Sequence, residues 1–351
     1  MKIFCYFVEP ASYTIDLAKN VYDKNKIDYC FIKSNTLVKS NSKSNKEMLS
    51  EMSIFEKIRF IIKIFKENNM IIVNGYNNYP FILTFILNIF SCNKKFVATE
   101  SDTQLQIPTN PIKRFVKWIY LSIIFRNKYV LGFSGGSDSH KDLFRHYGMQ
   151  GERIFLMPMM VDNSKFYQKN KVLPEVFYFL YVGRLVKHKN VEELIKVFKS
   201  RFSNLNAELR IVGSGEEEEY LRNKYQSEKV KFLGKKFTAD LVEEFQKASC
   251  FVCPSIYEPW GLVVNEALSA GVPVIATKEV GASYDLINGK ETGCVAANMA
   301  EFGDYMVELF NNPKKLLVFS KNGSDLMQNK WNYDFYTNCL NKSIKKVKKW
   351  Q

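Results

Sequence analysis

The residues Glu258-Pro-Trp-Gly-Leu-Val-Val-Asn-Glu266 place two carboxylates eight positions apart around a loop-to-helix junction. Pro259 disfavours helical geometry at Glu258 and so keeps that residue extended or in a turn. Gly261 lets backbone approach a ligand closely, and the run from Gly261 to Ala270 predicts a helix with little side-chain bulk at its start. Leu262 and Glu266 are i, i+4 neighbours on it, which puts Glu266 about one turn below the helix mouth. Free N–H groups at that mouth attract anions, while the two carboxylates accept hydrogen bonds from hydroxyls. A ligand that is both anionic and hydroxylated is a sugar phosphate. Read alone, Glu266 with Asn265 and Ser269 also fits the polar face of a solvated helix.

A basic loop, Gly183-Arg184-Leu-Val-Lys-His-Lys189-Asn190, follows a strand-like run and precedes an apolar-periodic helix from Val191 to Lys199. Asn190 with Glu193 makes a capping-box pattern at its start. Arg184 then stands at a strand's carboxyl end, where doubly wound sheets bind ligands, and Lys189 stands just before a helix mouth. Arg offers phosphate a bidentate fork and Lys a point charge. Gly213-Ser-Gly215 also follows a strand, but the third glycine of a dinucleotide fingerprint would fall on Glu218, inside the acidic run Glu216–Glu219. Those carboxylates suit a helix dipole and repel a pyrophosphate. The two glycines read instead as a tight turn that lets a ligand edge, such as a base, come close.

No two of the twelve aspartates are two residues apart, so the usual metal clamp for nucleotide diphosphates is missing. The three histidines, His140, His146 and His188, form no metal-binding pair, and no Walker A loop or GxSxG elbow occurs. No metal or cofactor is expected. Cys250 and Cys253 are spaced as CxxC but lie in a strand-like run without a second pair, and read as buried strand cysteines.

These groups need a scaffold of parallel sheets, and the chain alternates short apolar strands with helical patterns throughout. Strands are expected near 2–8, 28–32, 70–74, 95–99, 129–133 and 153–157, with helices over 12–25, 54–67, 80–91, 111–125 and 138–147. A Ser-, Asn- and Lys-rich surface loop is expected from Ser34 to Ser53, and polar sequence from Asp162 to Pro174 reads as a linker. A second set of strands is expected at 177–183, 209–213, 230–234, 250–254, 272–276 and 293–295, close to Rossmann spacing. The expected domains are residues 1–170, 171–330 and a C-terminal helix over 331–351.

At 351 residues with 46% hydrophobic and 15% aromatic content the chain has ample material for two cores and is not disordered. Its net charge of +14 is uneven: residues 1–172 carry 25 Lys and Arg against 14 Asp and Glu, and the remainder 25 against 22. The basic half should face an acidic partner such as phospholipid headgroups, a phosphorylated lipid or nucleic acid. Met1-Lys2-Ile3 runs straight into a strand-like segment without a signal peptide, and apolar stretches such as Phe81–Phe90 are too short to span a bilayer. Seven cysteines without framework spacing fit a reducing compartment. A cytoplasmic protein is expected, peripheral on the inner face of the cell membrane.

The second half resembles the retaining glycosyltransferases of family four, the glycosyltransferase group one domain. The resemblance rests on Val182-Gly-Arg184 with Lys189, Arg210-Ile-Val-Gly-Ser-Gly215, Phe232-Leu-Gly234, and Pro254-Ser-x-x-Glu258-Pro-x-Gly-Leu-x-x-x-Glu266-Ala. Ala270-Gly-Val-Pro-Val274, Gly281 and Thr292-Gly293 complete it. It implies a GT-B fold, an α/β architecture of two facing Rossmann-like domains with a C-terminal helix crossing back to the N-terminal domain. By position, Arg184 and Lys189 would hold the donor diphosphate, Glu258 hydroxyls of the transferred sugar and Glu266 the ribose. Gly183, Gly213 and the backbone of Trp260, Gly261 and Leu262 would line the donor site. The first half matches weakly. Glu9-Pro-Ala-Ser-Tyr13 replaces the family's glycine-rich loop, and Thr99-Glu100-Ser-Asp102 stands where many members place a histidine. Glu100 would then face the acceptor or the reacting sugar, Asp102 would lie on the acceptor side, and Gly135 and Gly136 would supply amides. Asn190 replaces the family's usual glycine after Lys189.

The resemblance implies a metal-independent transferase that moves sugar, with retention, from a nucleotide-diphosphate sugar to an acceptor hydroxyl. Arg114-Phe-Val-Lys-Trp-Ile-Tyr-Leu-Ser-Ile-Ile-Phe-Arg126 reads as a helix bounded by cations. It fits either a core helix or one lying on anionic membrane. Family habit and a Lys-, Asn- and Ile-heavy composition suggest a lipid-linked glycan acceptor in bacterial surface polysaccharide synthesis: O-antigen, capsule or lipopolysaccharide. A degenerate transferase acting as a nucleotide-sugar-binding or scaffold protein would be expected to lose Arg184, Lys189, Glu258 or Glu266, all present here. Nucleic-acid binding is suggested by charge alone, with no helix-turn-helix, zinc or RNA-binding signature.

Overall fold

The computed structural model describes residues 1–34, 48–169, 171–172 and 174–350. The loop expected from Ser34 to Ser53 falls mainly outside them. Two compact units divide the chain, the first made of Met1–Met160 with Tyr333–Gln351, the second of Val161–Asn332.

The first unit runs β1 (Ile3–Phe7), α1 (Ser12–Leu17), β2 (Asp28–Phe31), α2 (Ile54–Glu67), β3 (Met70–Asn74), α3 (Tyr79–Phe90), β4 (Phe96–Ser101), α4 (Pro111–Arg126), β5 (Val130–Ser134), α5 (Asp138–His146) and β6 (Ile154–Leu156). The helix expected over 12–25 continues past α1 as a π turn over Ala18–Asp23. The six strands are parallel, in the order β2-β1-β3-β4-β5-β6. Strands covered on both faces need apolar residues at every position, and all five residues of β1, Ile-Phe-Cys-Tyr-Phe, are buried. Ile61, Phe65, Phe81, Phe125 and Phe144 from α2 to α5 join one core against this sheet. α2 has a sharp start: the Glu56 N–H donates to Ser53 Oγ at 3.3 Å and the Ser53 N–H to Glu56 Oε2 at 2.7 Å, a reciprocal cap.

The second unit runs α6 (Asn163–Phe166), β7 (Phe177–Val182), α7 (Val191–Phe202), β8 (Ala207–Val212), α8 (Glu218–Tyr225), β9 (Val230–Gly234), α9 (Thr238–Lys247), β10 (Cys250–Cys253), α10 (Leu262–Ser269), β11 (Val274–Thr277), β12 (Gly293–Ala296), α11 (Met299–Asn311) and α12 (Pro313–Asn329). Its strands are also parallel, in the order β12-β11-β10-β7-β8-β9. This is the Rossmann order, with the direction of winding reversing between β7 and β10. Phe179, Phe198, Phe202, Ile211 and Val252 centre its core. Cys250 and Cys253 are buried in β10, and burial raises both thiols above their usual range.

The last helix, α13 (Tyr333–Trp350), belongs to the first unit. Its Trp350 ring lies 6.0 Å from Phe96 on β4 and 6.5 Å from Phe155 on β6. Among the described residues no helix is long and apolar enough to cross a membrane.

Candidate functional sites at two topological switch points

In a doubly wound sheet, loops after the two strands flanking the reversal leave in opposite directions and open a crevice at their carboxyl ends. In the second unit those loops follow β7 and β10, and they carry Arg184, Lys189 and Glu258. Lys189 and Glu258 form an ion pair in which both side chains are mostly buried. Two further bonds tie the loops together: the Ile256 N–H donates to His188 O at 2.9 Å, and Asn190 Nδ2 donates to Pro254 O at 3.2 Å. Arg184 is exposed. It lies close enough to Tyr181 that its charge, opposing that of Glu258, acts on the buried phenol, whose hydroxyl donates to Arg184 O at 2.9 Å. Arg184, Lys189 and Glu258 thus surround the end of β7.

Glu258 is anchored like a strand residue. Its N–H donates to Glu279 O at 3.2 Å, and its carbonyl accepts from the Gly281 N–H at 3.0 Å. Gly261 follows at φ +94°, a conformation side chains disfavour, and a Cβ there would lie 3.1 Å from Glu258 Cγ. α10 begins at Leu262, where the first N–H groups of a helix lack i−4 partners; of these, the Val264 N–H donates to Gly261 O at 2.9 Å.

Glu266 lies one turn into α10, and among the described residues no hydrogen bond or ion pair joins it to Arg184, Lys189 or Glu258. Among the described residues its carboxyl takes no hydrogen-bond partner, and burial pushes it up to about 8, although the residue as a whole is partly exposed. The polar-face reading of Asn265 and Ser269 does not hold. Both are fully buried: Asn265 Oδ1 accepts from Trp260 Nε1 at 2.8 Å, and Ser269 Oγ donates to Asn163 Oδ1 at 3.0 Å. The Trp260 ring is also interior, stacked on Trp331 at 5.7 Å, so only its backbone can reach a ligand.

Two other expectations need correction. Asn190 makes no capping box; it adopts a left-handed conformation at φ +59°, and its side chain bonds Pro254 rather than the helix start. The position demands a positive φ, which glycine supplies freely and asparagine tolerates. Gly213 and Gly215 make room for backbone rather than for a base. A Cβ on Gly213 would fall 1.8 Å from Gly183 O, and one on Gly215 would fall 2.2 Å from Leu185 O. The loops after β7 and β8 run in contact, joined where the Leu185 N–H donates to Ser214 O at 2.9 Å.

In the first unit the sheet reverses between β1 and β3. A cavity of about 410 Å³ opens there, lined by Val8 and Tyr13 after β1, Asn74–Asn78 after β3, and Glu100 and Asp102 at the end of β4. Glu100 is buried yet bonded: Asn74 Nδ2 donates to Oε2 at 2.7 Å and Tyr336 Oη to Oε1 at 3.2 Å, with Tyr22 Oη 3.0 Å from Tyr336 Oη. Burial raises its carboxyl to about 7 and Asp102 adds to the rise, against the two donors, which favour the charged form. Tyr336 was not anticipated as part of this site, since it stands on α13. Gly135 does not offer its amide to a ligand, because that N–H donates to Ser101 O at 2.8 Å. Gly136 is buried, and its carbonyl accepts from Ser134 Oγ at 2.7 Å.

Residues 162–325 match the family model described as "Glycosyl transferases group 1". The chain is 31% identical over 194 residues to the capsular polysaccharide biosynthesis glycosyltransferase CapM of Staphylococcus aureus, a match covering 52% of this chain and 49% of CapM. It is 26% identical over 318 residues to an uncharacterised glycosyltransferase of Haemophilus influenzae, covering 88% and 80%. The chain thus spans about half the length of CapM. Among solved structures, Anabaena HepE in complex with UDP superposes with a TM-score of 0.73 at 15% identity, covering 98% of this chain and 100% of HepE. That likeness shows the shared two-domain α/β fold of the GT-B type. With the motifs from Gly183 to Glu266 lying inside the matched segment, the second unit belongs to the glycosyl transferases group 1 family.

Proposed function

We propose that this protein is a retaining glycosyltransferase that moves a sugar from a nucleotide-diphosphate sugar to a membrane- or lipid-linked glycan acceptor. The setting we propose is the synthesis of bacterial surface polysaccharide at the cytoplasmic face of the membrane. The observation that carries the donor half is the grouping of Arg184, Lys189 and Glu258 with the α10 mouth at the second unit's switch point. Breaking an anomeric bond puts negative charge on the departing diphosphate and positive charge on the sugar ring. Arg184, Lys189 and the α10 amides supply donors for the first, and each charge-assisted hydrogen bond contributes roughly 1.5–3 kcal/mol. Only the part that strengthens as the bond breaks raises the rate. Glu258 accepts hydroxyls of the transferred sugar, and the enclosed Glu266 carboxyl accepts those of the ribose. The acceptor enters the first unit's cavity, where Asn74, Glu100 and Asp102 present amide and carboxyl groups to hydroxyls. The relation to CapM supports the polysaccharide setting, and HepE's complex with UDP supports a nucleotide-sugar donor.

The test is a screen of nucleotide sugars for thermal stabilisation and slow hydrolysis. A ligand at 100 times its dissociation constant stabilises by about 2.7 kcal/mol. With the donor in hand, Glu258→Gln and Arg184→Ala should nearly abolish transfer while melting like the parent. Full turnover in either variant refutes the assignment, and donor binding without any turnover in the parent points to a degenerate binding protein.

A further inference from the structure

More than half of the large apolar side chains exposed among the described residues lie on three neighbouring helices of the first unit, α2, α3 and α4. Phe55 on α2 is 82% exposed, Phe90 on α3 83%, and Ile112, Phe115 and Ile123 on α4 73%, 61% and 60%. The opposite faces of these helices already fill the core through Ile61, Phe81 and Phe125. α3, Tyr-Pro-Phe-Ile-Leu-Thr-Phe-Ile-Leu-Asn-Ile-Phe, has no charged residue at all. A helix apolar all round belongs inside a core or against lipid. Between α3 and α4 an apolar slot of about 210 Å³ opens among Ile82, Ile86, Tyr120 and Ile123.

The charges around this face are mainly positive: α2 carries Lys57, Arg59, Lys63 and Lys66 against Glu56 and Glu67, and beyond it they have one sign. From Glu67 to Asp138 the only acidic residues are Glu100 and Asp102, both in the cavity at the sheet's carboxyl edge, whereas Lys113, Arg114, Arg126 and Lys128 are exposed on or just after α4. The Arg126 guanidinium lies 5.8 Å over the ring of Trp118. Exposed isoleucine and phenylalanine edged by a net excess of cations, with no carboxylate on α3 or α4, complement a surface that is apolar within and anionic at its boundary. A second copy of this chain fits less well, because a two-fold interface would bring the cationic edge against itself.

We propose that the α2–α4 face docks on an anionic phospholipid bilayer, its apolar side chains entering the acyl boundary and its cations meeting lipid phosphates. This deepens the reading of a membrane-linked acceptor and rests on that reading for its purpose; the contact itself is testable without donor or acceptor. The full chain is sedimented with phosphatidylglycerol vesicles and with phosphatidylcholine vesicles, at low and high salt. Binding is expected to the anionic vesicles, weakened by salt. Each surface cation contributes about fivefold (~1 kcal/mol) to partitioning, so Lys113→Glu with Arg114→Glu should weaken it at least about 25-fold. Phe115→Asp should abolish it, and Val318→Asp, an exposed position on α12 of the second unit, should leave it intact. Absence of binding, equal binding to both lipids, or binding unaffected by the α4 variants overturns the proposal. So does a lipid-free dimer that Phe115→Asp converts to monomer. Donor hydrolysis measured without vesicles separates the two ideas: its absence with vesicle binding intact removes the transferase reading and leaves the docking face.

Discussion

Glu266→Gln should make this protein more stable and less able to hold its donor. Burial raises the Glu266 carboxyl from 4.5 to about 8, and no hydrogen bond offsets it. Between those two values the unfolded chain releases the proton more readily than the folded one, so folding stability falls as pH rises through this window and is fully retained below about pH 4.5. At pH 7 the cost is about 3 kcal/mol at 1.36 kcal/mol for each unit of pKa. Residual hydration of the partly exposed residue reduces this to about 2 kcal/mol. Glutamine copies the protonated acid in shape and in unmet hydrogen bonds, so the substitution isolates the cost of ionisation. At 2–4 °C for each kcal/mol in a domain of this size, the variant should melt about 4–8 °C above the parent at pH 7–8. The gap should close at pH 5. Melting followed by circular dichroism across pH 5–8, with and without the donor found by screening, gives both readouts, and the donor-induced rise should shrink in the variant. Equal melting temperatures at pH 5 and pH 8 would refute the burial argument, and an undiminished donor-induced rise would refute the ribose role.

Tyr336→Phe removes a donor that favours the charged form of Glu100, so Glu100 should titrate higher than about 7. The acidic limb of kcat/KM for acceptor should move up in pH, and an unmoved limb would show that Glu100 does not govern it. Asn190→Gly should melt within a degree or two of the parent, because glycine adopts φ +59° without strain. Asn190→Ala should lose about 1–2 kcal/mol, read from denaturant midpoints, and a fully stable alanine variant would contradict the left-handed backbone.

The elements were legible wherever local chemistry decides them. α2 lies over the predicted residues 54–67 because apolar spacing and a reciprocal Ser53–Glu56 cap act within one turn. Central strands such as β1 and β10 were readable because parallel strands buried on both faces must be apolar throughout, and β8, Ala-Glu-Leu-Arg-Ile-Val, because its polar residues alternate with buried ones. What failed was decided by chain segments that meet only after folding. Nothing local distinguishes Asn190 as a cap from Asn190 as a left-handed turn; its partner is Pro254, sixty-four residues on. Gly213 looked like room for a ligand because a sequence does not reveal that Gly183 O already occupies that space. The polar face assigned to Asn265 and Ser269 turned inward because Trp260 and Asn163 provide buried partners for them. The Glu100–Tyr336 bond joins residues 236 apart and had no local signal.

The Lys189–Glu258 pair gives the proposed donor site an internal logic. A partly buried ammonium facing the carboxyl ends of strands is costly unless neutralised, and Glu258 neutralises it while fixing its direction. Lysine carries three donors, so Lys189 can keep Glu258 and still offer N–H groups to a diphosphate. A carboxylate accepts at two oxygens, which suits the sugar-hydroxyl role proposed for Glu258. In the proposed reaction one ion pair would couple the two ends of the scissile bond: charge building on the diphosphate would draw Lys189 toward it, and Glu258 would be left with more charge to place near the ring becoming positive. Glu258→Gln loses both effects together, which is why it should impair transfer more than a lost hydroxyl contact alone would.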